Sequence, residues 1–596
     1  MDNTKLTLFR NKLIECGCKA MIIPTNDPHF GEYTQDYYKI REWLSGFTGS
    51  AGTLVITLED AALWTDSRYF VQAEKELGGT GIRLMKLKMP GTPAIPEWIK
   101  GQYPEGGKVA VDKSLFSRGE YLSLESSLLP CTVELADDFL SSVWKDRPAL
   151  QFNKIEYLPE NYSGEDTASK HKRVIEILGI GGKSFVYVVT ACDEVAWLCN
   201  IRGGDIEYNP LPQSYAVVSE EAIHLFVNRA SLSAEALAAL EKNGVVLHPY
   251  SGFESFLQSV PAEAVRVCSF SKVTVRDYRA LDKPGAVFLE DPVPGGAINH
   301  LKSMKNGTEL AGFAKAFEAD GIAWCKVLKY IHDSLTAGIT LDEYSIGEKL
   351  IAFRKEDSLY RGESFEPIVA FGAAASLPHY SATAENSRLV GTDSFLLMDT
   401  GAQYLCGTTD TTRTLPLGEL SDAQKRHYTL VLKGMIDLSM ARFPKGTRGS
   451  QLDILARGPL FNEGLMFFHG TCHGIGHYLC VHEGPQSVRM EENPVTLKPG
   501  MVISNEPAIY FDGEYGIRIE NVLAVEEWKT TVFNDFYGFR TLTLVPVNTS
   551  CLQKELLTGQ ELQWLNTYNQ HVYDTLSVHL DTQTAAWLKE ACKPLV

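Results

Sequence analysis

Two carboxylates stand inside runs that otherwise read as β-strand. Phe395, Leu396, Leu397 and Met398 form an unbroken apolar run leading into Asp399, and the Thr-rich segment after Gly407 carries Asp410 in its middle. A fold-back between Tyr404 and Leu405 would set the two acids opposite each other on antiparallel strands, where facing Cβ atoms lie about 4.5–5.5 Å apart. At about 4 Å and an effective dielectric of about 20, two like charges repel by roughly 4 kcal/mol. A fold holds such a pair only if one acid keeps a proton or a cation sits between them.

The device recurs. Glu506 and Glu520 are equidistant from Gly513 of an Asp512-Gly513 pair, a strong hairpin-turn signal. Between the two hairpins lies FFHGTCHGIGHYLCVHEGP, with His469, His473, His477 and His482 among four glycines. Four acids plus an imidazole predict a two-metal hydrolytic centre. Oxygen-rich ligation suits Mn²⁺ best, with Co²⁺, Fe²⁺ or Zn²⁺ as alternatives. A helical zinc pair of His469 and His473 is disfavoured, because Gly470 and Gly474 interrupt the helix and the HExxH glutamate is missing.

At 596 residues the chain exceeds one core. A net charge of −18 without a long basic cluster excludes nucleic acid and anionic membrane as expected partners. No stretch approaches the apolar length of a membrane span. The start of the chain reads as an amphipathic helix (Leu6, Phe9, Leu13, Ile14) leading into a strand, not as a signal peptide. Twelve cysteines without paired CxxC spacing read as buried, reduced thiols.

Three domains are expected, at 1–155, 156–300 and 301–596. The first is α/β, with SGFTGSAGTLVIT and ALWTDSRYF as markers; Arg68 in the latter reads most simply as a surface salt bridge. The second echoes the first: Trp43-Leu44, a glycine turn and a strand reappear as Trp197-Leu198, Gly203-Gly204 and the strand 215–218, predicting a duplicated fold. A Pro/Gly-rich boundary near 290–309 precedes a long helix from about 308 to 335 and then the acid-rich region. Two helices, near 561–576 and 582–591, close the chain, with Trp564 and Trp587 as core residues.

MDTGAQYLCGTTDTTRT, HGTCHGIGHYLCVHEGP and SNEPAIYFDGEYGIRIEN closely resemble the signature blocks of the pita-bread metallopeptidases, specifically Xaa-Pro aminopeptidases (aminopeptidase P) of the long, three-domain, cytosolic type. SGFTGSAGT and WTDSRYF resemble its first creatinase-like domain, DEVAWLCNIRGGDIEYNP its second, and LTLVPV with the Trp-containing tail its C-terminal extension. The resemblance implies an α/β (α+β) fold with two creatinase-like domains ahead of a pita-bread catalytic domain. It implies metal ligands at Asp399, Asp410, His473, Glu506 and Glu520, with Asp410 and Glu520 bridging two divalent ions. Substrate contacts fall on His379, His469, His482, Tyr510, Arg518 and Arg68; Glu506 would shuttle a proton, and His379 and His482 would stabilise the oxyanion. Cys406, Cys472 and Ala508 depart from the family pattern, at positions that are not ligands.

The activity implied is hydrolysis between an N-terminal residue and a penultimate proline by a water bridging two metal ions, in a cytoplasmic homodimer. The rivals are an Xaa-Pro dipeptidase with the same ligands, a non-catalytic peptide-binding protein of the same fold, and a metal-free creatinase-type hydrolase; the presence of all five ligand residues argues against the last two.

Overall fold

The computed structural model describes residues 4–137, 139, 143–180 and 184–595. They fall into two compact units, Met1–Leu158 with Glu165–Ile298, and Pro159–Gly164 with Asn299–Val596.

The first unit contains the same sheet twice. In one copy Ala20–Pro24 runs antiparallel to Thr53–Thr57 and parallel to Lys108–Asp112; Ala61–Thr65 and Arg83–Lys86 extend one edge and Thr132–Ala136 the other. In the second, Phe185–Val189 takes the central place, with Tyr215–Val218, Ile223–Val227 and Val246–Pro249 on one side and Val265–Cys268 and Val287–Glu290 on the other. Each connection keeps its parallel or antiparallel sense, so the echo around Trp43 and Trp197 is an echo of topology. Central strands such as Leu54–Ile56 and Val217–Val218 are fully buried, as expected where helices cover both faces of a sheet. The N-terminal helix Thr4–Glu15 buries Leu6, Phe9 and Leu13. Ile14 is expected on that face but is 63% exposed, because one residue turns the helix by about 100° and carries Ile14 beyond the side that Leu6, Phe9 and Leu13 bury.

The second unit is organised around a long helix, Gly307–Thr336. Its start is fixed by a capping box: Asn306 Oδ1 accepts from the Glu309 amide and Glu309 Oε2 from the Asn306 amide, each at 3.0 Å. Phe313, Phe317, Trp324, Val327 and Ile331 are buried along it. A three-stranded sheet (Ile368–Phe371, Asp393–Thr400, Thr411–Gly418), a six-stranded sheet that includes Cys472–Gly474, Val502–Asn505 and Asn521–Thr530, and a two-stranded ribbon (Ala508–Phe511, Tyr515–Arg518) carry the acids and histidines. The closing helices Gly559–Leu576 and Thr582–Ala591 send Leu565, Val572 and Leu588 into the core, with Trp564 and Trp587 partly buried against it. Among the described residues no helix is long and apolar enough to cross a membrane. All twelve cysteines are free, and only Cys16 and Cys480 are not buried.

Candidate metal centre

Strand register brings the first acid pair near each other, though not in the register expected. Asp399 pairs with Thr412, and the ladder continues through Tyr404 with Gly407, so the chain turns at Leu405-Cys406 and Asp410 sits diagonal to Asp399 on one face. Diagonal neighbours lie roughly 7–8 Å apart at Cα, a looser pairing than direct opposition. Thr411–Gly418 pairs residue for residue with Asp393–Thr400, and Asp410 falls just before it, between two strand segments; no turn signal as strong as Asp-Gly fixes the fold-back at Leu405-Cys406. The second hairpin keeps the register its Asp512-Gly513 turn predicts: Ala508 pairs with Arg518 and Asn505 with Asn521, which places Glu506 across from Glu520. Gly513, at φ +73°, supplies the left-handed turn residue.

Together the elements bring ligand atoms of Asp410, His473 and Glu520 within 4.8 Å of one another. His473 lies in the strand Cys472–Gly474, not in a helix. Its Nε2 is 3.4 Å from Asp410 Oδ2 and 3.4 Å from Glu506 Oε1. Its Nδ1 is 2.9 Å from the Gly474 carbonyl; a carbonyl only accepts, so Nδ1 carries a proton and Nε2 is the nitrogen turned to the acids. Burial pulls the His473 pKa down, but its bond to Asp410 and the charge of Glu506 outweigh that and hold it at about 9.

The carboxylates are held on one oxygen each. Glu520 Oε2 accepts from Thr412 Oγ1 at 2.8 Å, and Glu506 Oε1 from Ser504 Oγ at 3.2 Å. Asp399 Oδ2 accepts from Arg518 Nε at 3.0 Å and Nη2 at 2.5 Å. Arg518 thus pairs with Asp399, not with its neighbour Glu520. Asp399 Oδ1 and Glu520 Oε1 are buried without a hydrogen-bond partner. Burial pushes Asp399 up against the pull of Arg518, with Asp410 adding to the rise. Burial and the charges of Asp410 and Asp399 push Glu520 well up, and burial, opposed by His473, leaves Glu506 at about 7. Partnerless buried oxygens, crowded carboxylates and an imidazole that turns Nε2 toward them are a donor set that fits hard or borderline divalent cations, with the Nε2 proton released as a cation binds.

Tyr510, His469 and His482 gather beside these acids. Tyr510 OH bonds Arg518 Nη1 and lies 3.0 Å from His469 Nε2. The His482 ring stands edge-on to His473, with centroids 4.4 Å apart. His379 is half-buried in the loop before Asp393–Thr400; the carbonyl of the preceding Pro378 accepts from Arg518 Nη2 at 3.4 Å, and the following Tyr380 donates to Glu343 Oε2 at 2.7 Å. Arg68 lies in the first unit, where Asp66 binds it through two contacts of 2.8 Å. Cys406 and Cys472 are buried, which pushes the first thiol up to about 11 and the second well above its ordinary value; both are poor nucleophiles.

Several supports escaped sequence reasoning. Arg413, fully buried, donates to the Glu520 carbonyl at 2.5 Å and to Asn521 Oδ1 and Tyr568 OH at 2.8 Å each. The Thr412 and Ser504 hydroxyls that orient Glu520 and Glu506 carry no periodic signal; the only hint was their proximity in sequence to the acids.

Family models describe the same layout. Metallopeptidase family M24 matches residues 312–527, the creatinase/prolidase N-terminal domain matches 5–138 and again 146–309, and the C-terminal region of M24 peptidases matches 535–595. A probable Xaa-Pro aminopeptidase P of Laccaria bicolor is 37% identical, covering 99% of this chain and 93% of its own. Xaa-Pro aminopeptidase ApepP of Drosophila melanogaster is also 37% identical, over 97% of this chain and 96% of its own. The crystal structure of X-prolyl aminopeptidase from Caenorhabditis elegans, described as a cytosolic enzyme with a di-nuclear active site, superposes with a TM-score of 0.93 at 32% identity over 100% of both chains. An Xaa-Pro dipeptidase from Bacillus anthracis shares the fold over 64% of this chain and 99% of its own, with a TM-score of 0.51 at 23% identity. With relatives at this identity along its whole length, the chain belongs to the aminopeptidase P family of M24 metallopeptidases, two creatinase-like domains ahead of a pita-bread catalytic domain.

Proposed function

We propose that the protein hydrolyses the peptide bond between an N-terminal residue and a penultimate proline, with two divalent cations held by Asp399, Asp410, His473, Glu506 and Glu520. The observation that carries this reading is the convergence of Asp410, His473 and Glu520 within 4.8 Å, in a buried site where two carboxylate oxygens have no partner. When bound, the cations supply Lewis-acid charge to the scissile carbonyl and bring the pKa of a water near neutrality.

The chain's own groups do the rest. Arg518 keeps Asp399 oriented through a two-point contact. Thr412 and Ser504 fix one oxygen each of Glu520 and Glu506. Glu506 carries a proton from the attacking water to the departing proline nitrogen. His482 and His379 donate to the oxygen that gains charge in the tetrahedral intermediate, and His469 with Tyr510 orients the peptide; Arg68 contributes a further substrate contact. The oxygen-rich donor set favours Mn²⁺. We further read the chain as three domains at 1–155, 156–300 and 301–596, in a cytoplasmic homodimer, in line with the Caenorhabditis elegans enzyme described as cytosolic.

Metal analysis of the purified protein, paired with rates on an Xaa-Pro-Xaa tripeptide and an Xaa-Pro dipeptide with and without MnCl₂, tests the proposal. Metal-dependent cleavage of the tripeptide is expected. Cleavage of the dipeptide alone would make the protein a dipeptidase, and no cleavage of either with metal bound would refute a peptidase role.

A further inference from the structure

Asp410 occupies an odd place in its sheet. The ladder of Asp393–Thr400 with Thr411–Gly418 ends at the pair Thr400 and Thr411, and the ladder of Ala402–Tyr404 with Gly407–Thr408 begins at Gln403 and Thr408. Gly401, Thr409 and Asp410 fall between the named strands. Regular pairing therefore does not by itself fix the spacing of the two acids at this point.

A buried ionic cluster lies at this gap. Asp320, on the long helix, and Arg354, on the helix Glu343–Arg354, are each 1% exposed and bond through Arg354 Nε and Asp320 Oδ1 at 2.7 Å. Arg354 Nη1 also pairs with Glu363. The cluster then reaches both acid-bearing segments. Arg354 Nη2 donates to Thr400 Oγ1 at 3.0 Å and Nη1 to the Gly401 carbonyl at 3.3 Å, directly after Asp399. Thr409 Oγ1 donates to Asp320 Oδ2 at 3.0 Å, directly before Asp410. Gly401 lets the two segments touch, since a Cβ there would stand 2.1 Å from the Thr409 carbonyl oxygen.

We infer that Asp320 and Arg354 are positioning residues for Asp399 and Asp410, and that the brace they form through Thr400 and Thr409 sets how tightly the centre holds its cations. The inference rests on the metal-ligand reading above and adds two residues that touch neither cation nor peptide. Outer partners that orient metal ligands are worth about 10–100-fold in metal affinity. A cluster that merely filled the core would move stability and leave affinity alone.

The test is calorimetric titration of full-length, metal-stripped protein with MnCl₂ and, in parallel, ZnCl₂. Thr400→Val replaces the accepting hydroxyl by a methyl of the same shape, and Thr400→Ser restores it. Asp320→Asn keeps an acceptor for Arg354 but turns the oxygen facing Thr409 into a donor. We expect Thr400→Val and Asp320→Asn to bind about tenfold more weakly and Thr400→Ser to stay within about twofold of wild type, all with unchanged circular dichroism. Asp410→Asn runs beside them as the ligand control. Wild-type affinity in a folded Thr400→Val or Asp320→Asn, with affinity lost in Asp410→Asn, overturns the brace and leaves the ligand assignment standing. Wild-type affinity in Asp410→Asn, or a wild type that takes up neither cation, overturns the ligand assignment and the brace with it.

Discussion

Glu483 follows His482 and is fully buried between two lysines: Lys302 Nζ is 2.6 Å from Oε2 and Lys305 Nζ 2.6 Å from Oε1, with no side chain of the three more than 1% exposed. One carboxylate faces two ammonium groups, and burial drags Lys305 below its ordinary pKa despite the pull of Glu483. Glu483→Gln keeps the shape and removes the only negative charge of this triad. Taking one partner from a buried ion pair costs about 3–5 kcal/mol, a fall of roughly 10 °C in the midpoint of a unit this size. The sign with pH follows from the lysines. The folded pKa of Lys305 lies below its unfolded one, so between those values the unfolded chain binds more protons and stability rises with pH. The deficit of Glu483→Gln is therefore largest near pH 7 and shrinks toward pH 10. Replacing all three residues by methionine removes the charges together, which is often neutral or stabilising by about 1–4 kcal/mol; it should restore the midpoint but not turnover, because the ion pairs that fix Glu483, the residue next to His482, are gone. Scanning fluorimetry of both variants at pH 7 and pH 10, with tripeptide hydrolysis alongside, reads each part. A Glu483→Gln midpoint within about 2 °C of wild type at pH 7 would refute the reasoning, since it would mean that the buried charges need no partner.

Metal removal by EDTA should lower the unfolding midpoint, and MnCl₂ at about 100 times its dissociation constant should return about 2.7 kcal/mol; the Asp410→Asn midpoint should not respond to MnCl₂. Arg518→Lys loses the two-point contact with Asp399 and should lower kcat/KM on a tripeptide by at least about tenfold, read from steady-state rates. Away from the site, burial and the charge of Glu561 push Asp437 up to about 7, against the pull of Lys433. A carboxyl raised above its unfolded value stabilises the fold below about pH 4, and that contribution is lost as pH rises from 4 to 7. Discounted for partial exposure, Asp437→Asn should gain about 1–2 kcal/mol at pH 8 and nothing at pH 4, measured as urea midpoints at the two pH values.

Legibility in the sequence followed the range of the interaction. The Glu506 and Glu520 hairpin could be placed because an Asp-Gly turn fixes register locally, and the long helix because its apolar period runs for many turns. The Asp399 and Asp410 pair was found but set in the wrong register: without a turn signal of comparable strength at Leu405-Cys406, nothing local decided between neighbouring alignments. Duplication of the first domain was visible as spaced tryptophans, yet the shared strand order needed the structure. His379 required the family resemblance, since one histidine in LPHY carries no pattern. Arg354 and Arg413 were invisible because each is defined by partners far away in sequence, Asp320 for the first and Tyr568 for the second.

The buried ion pairs around the candidate centre share an arrangement. Asp320 with Arg354 holds the residues beside Asp399 and Asp410. Asp453 with Arg457 holds the His469 carbonyl at 2.7 Å and the Thr471 hydroxyl at 2.5 Å, and the Thr471 carbonyl receives the Glu506 amide at 3.0 Å. The two lysines hold Glu483 beside His482. Apolar side chains of similar volume would give comparable or greater stability at each place. What they would not give is direction: a guanidinium or carboxylate fixes a particular carbonyl or hydroxyl at hydrogen-bond distance, and here those groups sit next to the candidate ligands. A site that needs several charged groups held against their own repulsion requires that kind of constraint more than it requires stability. Apolar replacement of the Asp453 and Arg457 pair should thus separate the two properties, leaving the unfolding midpoint near wild type while weakening Mn²⁺ binding about tenfold; equal loss of both would show that the pair serves the core and not the centre.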